Sequence, residues 1–325
     1  MKATISAIPP FLVFVFVLFS VATLSSQAPV SQQDQPEFIK QGQQLMREGK
    51  LDDALALYRQ TLQTSQDSLP ANIAAGSVLD LMGRGEDARK YFAKAIEVAD
   101  APEHKAMAQR AIAISYAFEG DCGKAAEYDK LVFDFYGSAK NFYQQGEIAD
   151  EIARVCLDSA DDGRNRYPGD RVAAALDWYK TGHETGLKEP GIEPARKDLW
   201  DFRWEHAQAR YAVHTGETAE AQKHVAAAKA ILDRGTIPQQ AQFFPYLVGY
   251  IAFYSSDYTA ALAEFLKADQ NDPFIQCMIA RTYEKLSNKE KALEYYRKVS
   301  TAIAHNPAAA YAVAFAKKKL SSLTS

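Results

Sequence analysis

His206 and His214 stand eight residues apart, His183 is followed by Glu184, and Asp158 opens an acidic stretch, so metal chemistry is the first possibility to test. A zinc hydrolase places two histidines on one helical face around a glutamate, spaced H-E-x-x-H. After His183 the chain reads "ETGL", which puts Leu187 where the second ligand should stand. His206 and His214 share a helical face but lie too far apart along it to hold one ion. From Asp158 to Gly169, Asp158, Asp162 and Gly163 occupy positions that suit a calcium loop. The third position is Ala160 and the twelfth is Gly169, so the oxygen cage lacks its bidentate glutamate. No nucleophile elbow, phosphate loop, dinucleotide fingerprint or N-glycosylation acceptor occurs. The expectation is a chain with no catalytic residues, no metal and no cofactor.

Cys122, Cys156 and Cys277 make an odd, widely spaced set from which no disulfide framework can be read. They are expected to be small buried hydrophobes. The composition, 47% hydrophobic and 24% charged over 325 residues, is that of a folded chain. A net charge of -4 with no run of five like charges leaves no footprint for nucleic acid.

The N-terminus has the layout of an export signal: Lys2, an apolar run from Ile8 to Leu24, then "SSQA". Residues 1–28 are expected to be a signal peptide or N-terminal anchor, and 29–36 a flexible polar leader. The expected location is periplasmic or extracellular. The alternative is membrane anchoring through residues 8–24, which reach the lower edge of spanning length.

The elements that organise the chain emerge from self-similarity. "GKLDDALALYRQTL" (49–62), "GRGEDARKYFAKAI" (83–96), "SDYTAALAEFLKAD" (256–269) and "SNKEKALEYYRKVS" (287–300) align without gaps. Each carries an Ala with an aromatic four residues later: Ala54 and Tyr58, Ala88 and Phe92, Ala261 and Phe265, Ala292 and Tyr296. These pairs share one helical face. Twelve residues before each Ala stands a small residue on an upstream helix: Gly42, Gly76, Gly249 and Ala280. The unit is a helical hairpin, and it buries its apolar faces only by stacking on its neighbours.

This pattern resembles the tetratricopeptide repeat, a helix-turn-helix of about 34 residues. Gly249, Ala261, Phe265, Ala268 and Pro273 fill its marked positions, and looser copies contribute Ala125, Ala175 and Ala221. The resemblance implies an all-α, right-handed superhelical solenoid of seven hairpins with a C-terminal capping helix. Regular repeats are expected over 37–137 and 201–304, with an irregular middle repeat over 138–200. That middle region carries the loop insertions 158–170 and 187–198. Residues 305–325 are expected to form the capping helix, with Lys317, Lys318 and Lys319 solvated near its C-terminus.

In proteins of this type the first helix of each repeat lines a concave groove. The corresponding positions here are Arg203, His206, Arg210 and His214, then Phe243, Tyr246, Tyr250, Phe253 and Tyr254, then Phe274 and Arg281. Aromatic and Arg side chains are the residue types of protein-recognition hot spots. A peptide or protein segment bound in the groove by a non-enzymatic scaffold of the cell envelope is therefore expected. The alternatives are a glycan or small molecule stacked on the same aromatics, and the use of the aromatic stripe as ordinary core. The Lys and Asn of the peptide-carboxylate clamp known in some relatives have no counterpart at the ninth groove position, occupied by Gln43, Ser77, Arg210, Tyr250 or Arg281.

Overall fold

A computed structural model describes residues 35–159 and 169–324. The expected export segment, residues 29–34 of the leader and residues 160–168 of the first insertion lie outside the described residues. Within them the chain is an all-α solenoid of seven hairpins and a final helix. The pairs are α1 (Glu37–Arg47) with α2 (Leu51–Thr64), α3 (Leu69–Leu81) with α4 (Gly85–Glu97), and α5 (Pro102–Phe118) with α6 (Cys122–Ser138). They continue with α7 (Phe142–Ser159) and α8 (Gly169–Gly186), then α9 (Pro194–His214) and α10 (Thr218–Leu232). The last two are α11 (Phe244–Tyr254) with α12 (Tyr258–Phe265) and α13 (Pro273–Lys285) with α14 (Lys289–Ser300), followed by α15 (Pro307–Thr324). No helix among the described residues is long and apolar enough to cross a membrane.

The repeat signature has a direct physical cause. The marker alanines Ala54, Ala88, Ala125, Ala175, Ala221, Ala261 and Ala292 are all buried, at 0–1% exposure, where each hairpin's two helices meet. A Cβ on Gly76 would lie 2.4 Å from the Phe92 ring, and one on Gly42 would lie 2.0 Å from the Tyr58 hydroxyl. The small residue therefore exists to seat the aromatic of its own hairpin. Caps start several helices: Ser68, Asp121, Asp257, Asp272 and Asn288 each accept a backbone N–H of the first turn.

The irregular middle packs differently. Gly146 of α7 and Gly182 of α8 let two backbones cross, a Cβ on Gly146 falling 2.9 Å from the Gly182 carbonyl. Trp200 of α9, fully buried, fills the space beside Gly146 and Gly186. The second insertion is shorter than expected, because helix resumes at Pro194.

Two expectations need correction. Cys122 and Cys156 are bonded as a disulfide tying the start of α6 to α7, with Cα atoms 4.9 Å apart; Cys277 is buried, as expected. The lysines of the last helix do not stand at its end, although Lys317 and Lys318 are exposed, as expected. The helix runs on past them to Thr324, Lys317 Nζ donates to the Leu81 carbonyl, and Lys319 pairs with Glu284 at 2.7 Å.

Candidate functional site: the concave strip

Arg203, His206, Arg210 and His214 recur along α9 every three or four residues and so share one face. Tyr246, Tyr250 and Tyr254 do the same on α11. The solenoid brings the two rows together. His206 stacks on Tyr246 with ring centroids 5.4 Å apart, and His214 meets Tyr254 edge-on at 4.4 Å. His214 Nε2 also lies 2.7 Å from the Tyr250 hydroxyl. From α13, Phe274 packs on Tyr246 at 5.9 Å, and the Arg281 guanidinium lies 4.9 Å from the Phe253 ring centre.

The ten expected site residues fall into three groups. Arg203, His206, His214, Tyr246 and Tyr254 are half-buried and keep part of their surface accessible. Tyr250, Phe253, Arg210 and Arg281 are buried, at 1%, 0%, 4% and 4% exposure; the first three support the strip from behind, and Arg281 is covered by Tyr311 and Phe315 of α15. Phe243 ends a short 3-10 turn (Pro238–Phe243) before α11, is exposed at 39%, and stands off the α11 stripe.

Residues outside the sequence expectation complete the polar interior. Arg210 donates to the Tyr179 hydroxyl of α8 at 2.9 Å and pairs with Asp158 of α7 at 3.4 Å. Arg154, one turn before Asp158, shares that carboxylate and reaches the Phe274 ring of α13 at 5.2 Å. First helices from α7 to α13 thus converge on a narrow axis. Arg203 is held by Glu147 and lies 3.9 Å from Asp150. Burial pushes the Asp150 carboxyl up to about 7, against the opposing pull of Arg203. Burial, then the positive field of Arg210 and Arg154, holds the His206 imidazole well below its usual value. A neutral, aromatic-stacked imidazole beside guanidiniums is suited to binding by stacking and hydrogen bonding, and poorly suited to proton transfer near pH 7.

The last helix also enters this interior. Arg281 Nη1 donates to the Tyr311 hydroxyl of α15 at 2.8 Å, Tyr311 packs on Phe274 at 5.3 Å, and Arg281 sits 5.0 Å from the Phe315 ring centre. Sequence reasoning missed Arg154, Tyr179 and Tyr311. Arg154 and Tyr179 lie in the hairpin whose repeat register is least regular, and Tyr311 lies in a helix outside any repeat. The only available signal for Tyr311 was its four-residue spacing to Phe315.

Family models of the tetratricopeptide repeat match residues 45–111 and 275–305. No curated protein matches. Among solved structures, the kinesin light chain TPR-like repeats of Podosopora anserina are 13% identical, with a TM-score of 0.46, over 61% of this chain and 94% of that one. A tetratricopeptide repeat protein from Parabacteroides merdae is 11% identical, with a TM-score of 0.45, over 81% and 90% of the two chains. The P58(IPK) TPR domain is 12% identical, with a TM-score of 0.32, over 88% and 98%.

Proposed function

We propose that this chain, which carries tetratricopeptide repeats, is an exported, non-catalytic scaffold that holds a segment of a partner protein against the concave strip of α9, α11 and α13. Such repeats build protein-interaction scaffolds, and the two family matches lie in the first and last parts of this solenoid. One observation carries the choice of strip. His206 with Tyr246 and His214 with Tyr254 form two half-buried aromatic pairs, joined through buried Tyr250 and backed by the guanidiniums of Arg210 and Arg281. Rigid aromatics bury area at low entropic cost, and a cationic backing favours acidic or carbonyl-rich partners.

The His214 to Tyr250 hydrogen bond is an internal link in this reading. Tyr250 is buried, and burial raises its hydroxyl well above its usual value, which suits neither a nucleophile nor a base. Export is supported by the N-terminal layout and by the Cys122–Cys156 disulfide, a bond typical of oxidising compartments.

The test is capture from native envelope extract by the chain from residue 30 onward, set against a Tyr246→Ala/Tyr254→Ala variant whose fold is checked by circular dichroism. Loss of a specific partner with the folded variant supports the strip, and retention of every partner sinks it. Oligosaccharides that displace the partner would favour the glycan alternative.

A further inference from the structure

The helix that follows the seven hairpins is not a simple end cap. One side of α15 closes the last hairpin, Ala312 and Ala316 packing with Cys277, Ala280, Tyr296 and Val299. Its other side meets the first half of the solenoid, where Ala310 packs with Ala117 of α5, Ala125 of α6 and Val155 of α7. In the segment leading into it, His305 Nε2 donates to Asp80 at 2.7 Å and its ring lies between Phe92 and Phe118, centroids 5.5 Å from each. Further along, Lys317 Nζ donates to the Leu81 carbonyl at the end of α3. The helix therefore spans the concave side from the last repeat back to the second and third.

Its contacts have the form of ligand recognition. Small residues let α15 approach α5 and α7 closely, as in a helix laid into a groove. Tyr311 and Phe315, one turn apart, engage Phe274 and Arg281, the two α13 positions assigned to the groove. Polar contacts at either end, His305 and Lys317, set its register. The fit is not seamless, since a cleft of ≈ 100 Å³ remains between Val313, Ala314 and Lys317 on one side and Asp80, Gly83, Gly85, Phe118 and Glu119 on the other.

We infer that the concave face recognises a small-residue-rich apolar helix bearing an aromatic pair one turn apart, and that α15 is the copy of this ligand the chain supplies to itself. A partner protein presenting such a helix takes the seat of α15. This rests on the reading above that the concave face is the partner surface, and it adds the chemical form of the partner.

The experiment uses the full chain and a fluorescein-labelled peptide with the sequence of residues 303–324. A His305→Ala/Lys317→Ala variant removes the two register contacts while leaving both aromatic seats. The expected result is at least tenfold tighter peptide binding to this variant than to wild type, abolished when the peptide carries alanine in place of Tyr311 and Phe315. A folded variant that binds no better than wild type, or equal binding of the substituted peptide, overturns the inference. A dimer of the variant that excludes the peptide also overturns it, placing a second copy in the seat.

Should the variant fail to fold, hydrogen exchange on wild type decides: α15 amides are expected to exchange at least tenfold faster than those of α5 and α7. Exchange of all three only on global unfolding contradicts the inference. A partner captured through Tyr246 and Tyr254 while α15 stays fully protected would leave the scaffold reading standing and remove this one alone.

Discussion

His305 Nε2 donates to Asp80 across 2.7 Å of space and 225 residues of sequence. In a solenoid nearly all contacts are local or between adjacent repeats, so this bond closes the array on itself. Asp80 also accepts from Ser115 Oγ at 2.7 Å, and its carboxylate is fully shielded from solvent. One buried carboxylate thus joins α3, α5 and the segment leading into α15.

Replacing Asp80 with Ala is expected to cost about 2–3 kcal/mol, because it leaves two hydrogen-bonding groups unmatched in a dry setting. Asp80→Asn should cost less, since its amide oxygen still accepts one bond. Urea unfolding of both variants checks the order, and equal stability of Asp80→Ala and wild type contradicts it.

Where a glycine seats a repeat's aromatic, it should be intolerant of a methyl group. Gly76→Ala forces its Cβ to 2.4 Å from the Phe92 ring, a clash expected to cost about 1–3 kcal/mol. Gly123→Ala, whose Cβ would meet only Asp121 at 3.6 Å in a helix, should be neutral or slightly stabilising. Melting temperatures of the two variants separate packing from helix propensity.

Asp150 makes stability depend on pH. Its pKa rises from 3.8 toward about 7 on folding, so the folded state favours the protonated form. That contribution is complete below about pH 4 and is lost as pH rises through 7. Asp150→Asn should leave stability near pH 4 almost unchanged, raise it at pH 8, and flatten the profile between. Thermal melts across that range test the sign; a variant less stable at pH 8 than wild type would contradict it.

Reducing the Cys122–Cys156 disulfide, which closes a separation of 34 residues, is expected to lower stability by about 2–4 kcal/mol. The α6–α7 contact should loosen first. Melting with and without reductant, compared with a Cys122→Ser/Cys156→Ser variant, checks this. Coincident curves under all three conditions would mean the bond contributes nothing.

The hairpins were legible because their packing is local: Ala88 and Phe92 share a helical face, and a small residue, Gly76 here, lies twelve residues upstream of the marker alanine in every regular copy. The strip was legible in part. Spacing put His206, Arg210, Tyr246 and Tyr250 on the right faces, but spacing alone does not measure how tightly the superhelix winds. The convergence that lets Arg154 of α7 touch Phe274 of α13 buries Arg210 and Tyr250 within the wall. The disulfide was missed because one repeat length separates its cysteines in sequence while stacking brings them together. The closure by His305 was beyond any local pattern, since its partner lies in the second hairpin.

The central claim is that a partner binds the concave strip. A photo-cross-linking amino acid placed at position 246, compared with one at Lys223 on the exposed face of α10, tests it in cells that express the full chain. The account predicts a discrete partner adduct at 246 and none at 223. An adduct at 223 with none at 246, in protein shown to be folded, would place binding on the convex face and contradict the account.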